Sequence, residues 1–308
     1  MKVCIWSNLH TVCGNAEYGR ALHQELSKYF ECEIRANFEE VRAVQAQVVI
    51  VNWHPARVVC SPQKVRELQE SGSKVIMVLQ NSSVGGYLAS EGDPLLLADA
   101  VVAHQSMTCN VKLLVIPHGI PIVDELREPQ NRKLGIAGFP YAWKKFNVTA
   151  RAAEKIQGTS LLIAPKHEMG DTETPIRTIQ QTIPSAEVVR DFLPVEEVVR
   201  KLSECSINVF WYRYDTDDDL SGQSGSVRLG LAARRPMIIS DHPKLSTLWD
   251  YEDELYIVKE EEQVYSLVAE LTERMEAGEE LKKPKRILED MGWDTTGLMF
   301  KEVVEALV

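Results

Sequence analysis

The residues best suited to chemistry lie between Ser221 and Asp241, where the chain reads Ser-Gly-Gln-Ser-Gly-Ser-Val-Arg-Leu-Gly-Leu-Ala-Ala-Arg-Arg-Pro-Met-Ile-Ile-Ser-Asp. A loop of glycine and serine opens a helix of small residues, and Pro236 then leads into an apolar run, Met237 to Ser240. At the start of such a helix the backbone N–H groups point outward and carry partial positive charge, which holds an anion such as phosphate. Ser221, Gly222, Ser224, Gly225 and Ser226 are the candidate anion-binding residues, and Arg228 adds a full charge. The same segment also fits a plain capped helix whose Ser and Gly only end a loop.

Other polar groups sit where apolar runs end. His54 follows Val48–Val51 beside Trp53 and Pro55, and His10 and His118 lie in loops. Neutral imidazole works as a base near physiological pH, so each is a candidate for proton transfer or acceptor binding, with a structural role as the alternative. His54 is the candidate catalytic imidazole. Asn8, Asn15, Gln80 and Asn81 are neutral groups suited to sugar hydroxyls. Asp215, Asp217, Asp218 and Asp219 invite a divalent-cation reading, but a polar solvated loop explains them better, and no metal is expected.

These groups need a scaffold, and the composition provides for one. The chain has 308 residues, 44% of them hydrophobic, enough for two ordinary cores. No apolar stretch approaches the ~18 residues that span a bilayer, and Met1-Lys2-Val3-Cys4-Ile5-Trp6 enters a strand-like run without a basic leader. A soluble, cytoplasmic protein without membrane insertion is expected. Six scattered cysteines form no C-x-x-C pair and read as reduced thiols. Of the net charge of −11, residues 1–124 contribute −2 (10 basic, 12 acidic) and the rest −9 (24 basic, 33 acidic). A general polyanion-binding surface is therefore not indicated, although a local basic patch fits within that balance.

The pattern of apolar runs gives the elements. Short runs apolar on both faces occur at Val3–Trp6, Val48–Val51, Val75–Leu79, Ala100–Ala103 and Leu113–Ile116, as in buried parallel strands. Helical spacing lies between them, for example at Leu22, Leu26, Tyr29 and Phe30. After a polar segment, Asp124 to Lys133, that reads as a linker, runs resume at Leu134–Ala137, Ser160–Ala164, Ala186–Val189, Ile207–Trp211, Met237–Ser240 and Leu255–Val258. Val195, Val198, Val199, Leu202 and Cys205 share a helical face behind Pro194 at the first helical position. The spacing predicts an α/β chain of two Rossmann-like, doubly wound domains, 1–122 and 123–308, facing a cleft at the carboxyl ends of their strands.

Five landmarks in this order resemble the two-Rossmann-domain glycosyltransferases called GT-B, and among them the retaining sugar-nucleotide enzymes. They are the loop Asn8–Gly14, the strand Asp99-Ala-Val-Val-Ala103, the turn Ile116-Pro-His-Gly-Ile120, the phosphate-loop segment through Pro236 to Asp241, and Met291-Gly-Trp-Asp294 with the helix carrying Phe300, Val303, Val304 and Leu307. The resemblance implies a closing helix, about 291–308, that crosses back to the first domain. It further implies an acceptor-side first domain and a second domain that binds a nucleoside diphosphate sugar. Donor-contact candidates on this basis are Gly14 and Asn15 in the first loop, and Phe192 and Leu193 where the family holds the base. Lys144, Lys145, Arg228 and the 224–226 amides would stabilise the leaving phosphate.

The chain departs from the family pattern at several positions. The family's paired glutamates fall at Ser221 and Leu229, its diphosphate-gripping arginine at Phe139, and its first-domain histidine at Gln80. Retaining transfer without a side-chain nucleophile survives these losses. The expected activity is sugar transfer to an acceptor hydroxyl on a saccharide, a small molecule or a modified DNA base such as hydroxymethylcytosine, with no cofactor beyond the nucleotide sugar. A non-catalytic sugar-nucleotide-binding module is the alternative.

Overall fold

Five apolar or aromatic residues and one asparagine, Val48-Val-Ile-Val-Asn-Trp53, form β3, and all six are buried. Such runs can only sit inside a sheet covered on both faces. The computed structural model describes residues 1–10, 13–54, 58–80, 89–90, 92–107, 109–167, 170–213 and 224–308. The described residues fall into two units, Met1–Gly119 with Met291–Val308, and 120–213 with Ser224–Asp290.

In the first unit, β1 (Lys2–Trp6), β2 (Glu31–Arg35), β3 (Val48–Trp53), β4 (Lys74–Leu79), β5 (Ala100–Ala103) and β6 (Leu113–Val115) form a wholly parallel sheet in the order β2-β1-β3-β4-β5-β6. Period-2 alternation divides its side chains between two cores. Val3, Ile5, Ile50, Ile76 and Val78 pack with Tyr18, Leu22 and Leu26 of α1 (Gly14–Leu26). Cys4, Trp6, Val49, Val51, Val75 and Met77 face α2 (Phe38–Val44) and α3 (Pro62–Glu70). The closing stripe is realised: Trp293, Phe300 and Val304 of the final helix, Trp293–Leu307, lie in the same core as α1. Gly119 explains part of the Ile-Pro-His-Gly-Ile turn, since a Cβ there would sit inside the Trp293 indole.

The second unit repeats the plan with β7 (Gln130–Ala137), β8 (Thr159–Ile163), β9 (Ala186–Val189), β10 (Cys205–Phe210), β11 (Met237–Ser240) and β12 (Tyr256–Val258). The order β12-β11-β10-β7-β8-β9 is the Rossmann arrangement, reversing between β7 and β10. Its intervening helices are α4 (Phe146–Lys155), α5 (Thr174–Thr182), α6 (Val195–Ser203), α7 (Gly225–Ala232) and α8 (Glu261–Glu276), and α9 (Arg286–Met291) precedes the final helix, α10. One core joins Leu134, Ile207, Val209 and Ile238 to α4 and α8 through Val148, Ala152, Val264, Val268 and Leu271.

Several expectations change. The segment 124–133 is not a free linker. Arg127 is paired with Glu197 and Glu204, its N–H donates to Ser203 Oγ at 2.8 Å, and residues 130–133 already belong to β7. Pro194 is the N-cap of α6 rather than its first helical residue, and Cys205 opens β10 instead of sharing the helix face. β2 has no counterpart among the predicted runs. Among the described residues no helix is long and apolar enough to cross a membrane.

Candidate functional site

In an open parallel sheet the neighbouring loops part where the strand order reverses, and ligands bind there. In the second unit that point lies beyond β7 and β10. The chain leaves β7 at Gly138 with a φ of +127°, a conformation that only glycine adopts readily. A Cβ at Gly138 would stand 2.5 Å from Ser226 Oγ and 3.1 Å from Lys144 Nζ. The backbone of this turn thus presses against the start of α7.

Lys144 ends a short 3₁₀ turn, Ala142–Lys144, and is only 7% exposed. Its Nζ donates to Ser226 Oγ at 2.8 Å. Burial, helped by the charge of Lys244, pulls the ammonium down to about 7. Ser226 and Ser224 lie 3.2 Å apart through their hydroxyls, and Tyr212, just past β10, shares a 2.8 Å hydrogen bond with Ser224. Ser224 is the N-cap of α7, yet its side chain makes no capping hydrogen bond. The plain-cap alternative therefore loses its main support. One turn on, Arg228 is 3% exposed, donates from Nη2 to Thr247 Oγ1 at 3.1 Å, and is lowered by burial to about 10, so it remains charged at neutral pH. Hydroxyls, a helix start and two cations are thus gathered at one strand-order reversal.

Beside this cradle lies an aromatic patch. Phe139, next to Gly138, has its ring centroid 4.2 Å from His167 and 6.3 Å from Phe192, the latter pair inclined by 23°. Tyr141 and His167 share a hydrogen bond of 2.9 Å. Phe192 is 41% exposed and so lies outside the core, and Leu193 is half-buried. Lys145 departs from its neighbour: it is half-buried, has a φ of 45° and serves as the N-cap of α4.

The remaining candidates belong to the first unit, at the reversal between β1 and β3. Asn52 Nδ2 donates to Ser7 Oγ at 2.9 Å and to the carbonyl of Asn15 at 2.8 Å, tying the first loop's end to β3. Gly14 and Asn15 begin α1. His54 lies just after β3 in a bridge with Val58, whose N–H donates to its carbonyl at 2.9 Å. Gln80 Nε2 donates to His104 Nε2 at 3.3 Å, and His104 donates through Nδ1 to the Ile116 carbonyl. His118 packs edge-on against Tyr18 at 5.0 Å, in one cluster with His104 and Trp293, which gives it a structural role. Ser221, Gly222, Asn81 and Asp215 to Asp219 lie outside the described residues. Among the described residues no group of three His, Cys, Asp or Glu is placed to hold a metal ion.

Sequence reasoning missed Trp143, Tyr212, His242, Lys244 and Thr247, which reach the cradle from different loops. It also missed Asn52, although an asparagine inside an otherwise apolar strand was a visible signal.

Neither a family profile nor any curated protein matches the sequence. Solved structures do match. Anabaena HepE in complex with UDP superposes with a TM-score of 0.69 at 10% identity, over 99% of this chain and 100% of that one. AviGT4, a glycosyltransferase involved in avilamycin A biosynthesis, gives 0.61 at 13% identity, over 100% and 98%. An α-glucosyltransferase in complex with UDP and a 13-mer DNA gives 0.63 at 10% identity, over 100% and 99%. Likenesses this complete at identities this low establish architecture, and the chain has the GT-B fold as a divergent example of it.

Proposed function

We propose that this chain is a glycosyltransferase that takes a sugar from a nucleoside diphosphate donor and transfers it, with retention and without a metal, to an acceptor hydroxyl. The observation that carries the reading is the buried Lys144 ammonium on Ser226 at the uncapped start of α7, with Arg228 one turn away. Loss of a nucleoside diphosphate leaving group builds negative charge on the departing phosphate. Preorganised cations and helix-start N–H groups in a desolvated site favour that charge. Ser221, Gly222, Ser224, Gly225 and Ser226 would surround the phosphates, with Lys144 and Arg228 as their cations and Lys145 nearby. Phe192 and Leu193 would meet the base. The first unit would supply the acceptor side through His54 as base, and Gly14 and Asn15 of its first loop would add donor contacts. Structural neighbours bound to UDP, and one also to DNA, support a nucleotide-sugar donor and keep a modified DNA base among the acceptors to be assayed.

The test is calorimetry with UDP, GDP and ADP, followed by donor hydrolysis and transfer assays. Arg228→Ala is expected to weaken diphosphate binding by about 1.5–3 kcal/mol, the range for a charge-assisted contact, and to affect the nucleoside far less. Undiminished diphosphate affinity in that variant would remove the loop from the site. Tight sugar-nucleotide binding with neither hydrolysis nor transfer, across acceptors including hydroxymethylated DNA, would replace the enzyme by a binding module.

A further inference from the structure

Trp143 stands where three separate stretches of the second unit meet. Its ring stacks near Tyr141 on one inclination (6.3 Å, 17°) and near His242 on another (6.0 Å, 27°), while Tyr212 meets it edge-on at 5.1 Å. Two ammonium groups lie over the same indole. Lys144 Nζ is 5.3 Å from the ring centroid and Lys244 Nζ is 4.8 Å from it. Lys144 comes from the 3₁₀ turn after β7. Lys244 comes from the 3₁₀ helix Pro243–Tyr251 after β11, whose start is fixed by the Lys244 N–H donating to His242 Nδ1 at 3.1 Å.

An indole face attracts one cation readily, but two ammonium groups converging on one ring oppose each other. That opposition is visible in Lys144, whose charged form is disfavoured first by burial and then by Lys244. A ligand bearing two adjacent negative groups relieves it by meeting both. Lys144 meets the α7 end through Ser226, and Lys244 approaches the same indole from the segment after β11. We infer that Lys244 is a further donor-binding residue, forming with Lys144 a two-cation clamp on Trp143 that selects a diphosphate over a single phosphate. The inference rests on the proposed phosphate-binding role of the 224–226 loop. It adds a cation at a position where the five family landmarks place none, and it offsets the arginine lost at Phe139.

The experiment compares wild type, Lys244→Gln, Lys244→Arg and Lys144→Met for binding of UDP, UMP, inorganic pyrophosphate and orthophosphate, each variant first checked for a native near-ultraviolet spectrum. Lys244→Gln is expected to lose about 10- to 100-fold in affinity for UDP and pyrophosphate, the span of one charge-assisted contact, and under about 3-fold for UMP and orthophosphate. Lys244→Arg should keep most of the diphosphate affinity. A purely structural Lys244 would not produce this split between diphosphate and monophosphate, and loss of its like charge should in addition move the Lys144 titration, followed by Trp143 fluorescence against a Trp143→Phe control, to higher pH. If Lys144→Met weakens UDP binding while Lys244→Gln leaves UDP and pyrophosphate unchanged, the clamp is overturned and the donor reading stands. If the folded wild type binds neither UDP nor pyrophosphate, both fall together.

Discussion

Lys144 carries the most informative single-residue chemistry in the molecule, because its environment works against its charge. The ordinary lysine value is 10.5, and burial with the opposing charge of Lys244 brings it to about 7. Between those values the unfolded chain holds a proton that the folded chain does not, so stability rises with pH across that window. The penalty is fully present below about pH 7 and fades towards pH 10.5. Lys144→Met is therefore expected to melt at a higher temperature than wild type at pH 6–7, with the difference closing by about pH 10. A variant no more stable than wild type at pH 6–7 would show that Lys144 is not strained by its site. An anion bound at Ser226 favours the ammonium, so diphosphate binding near pH 8 should take up a proton, measurable by calorimetry in buffers of different ionisation enthalpy. A stabilising loss of a polar residue is what a functional site, rather than a structural one, leads one to expect.

Among the elements, the turn that leaves β7 decides whether the cradle exists at all. Gly138 holds a φ of +127° and leaves no space for a Cβ beside Ser226 and Lys144. Gly138→Ala is expected to cost about 1–3 kcal/mol through strained backbone and to weaken diphosphate binding more than Lys145→Ala does. Equal diphosphate affinity in Gly138→Ala and wild type would mean that the turn and α7 are not coupled. Strands of both sheets were legible where burial is symmetric: Val48–Val51 and Met237–Ser240 show as apolar runs because both their faces are buried. β2 was not, since Glu31-Cys-Glu-Ile-Arg35 is a half-exposed edge strand whose Glu33 pairs with Lys2 and Arg35, which hides the apolar signal. The site was legible along α7, where Ser224, Ser226 and Arg228 are contiguous. It was not legible at Trp143, Tyr212 and Lys244, because only the parallel order β7-β10-β11 brings residues 143, 212 and 244 to one edge. At Phe139 the family pattern itself misleads, since an aromatic stands where a cation is expected.

At the scale of the whole molecule, the core that holds the C-terminal helix and the core of the second unit share no described residue. The C-terminal stripe Trp293, Phe300 and Val304 joins Tyr18, Leu22 and Leu26, while Lys144, Ser226 and Arg228 belong to the second unit, whose core is built by β7, β10, α4 and α8. Removing residues 295–308 takes Phe300 and Val304 from the first unit, and each large buried side chain lost there costs roughly 2–5 kcal/mol. That is a large part of the ~5–15 kcal/mol that keeps a domain folded. The second unit loses nothing from its own core, so its response to ligand should persist. UDP at a hundredfold excess over its Kd should still stabilise it by about 2.7 kcal/mol. Scanning calorimetry of the truncated chain is expected to show an early transition for the first unit and a later one that UDP raises. An unchanged melting profile would show that α10 is dispensable to the first core. Loss of the UDP response on truncation would show that the donor site depends on the C-terminal helix, and the assignment of all donor-phosphate contacts to the second unit would have to be abandoned.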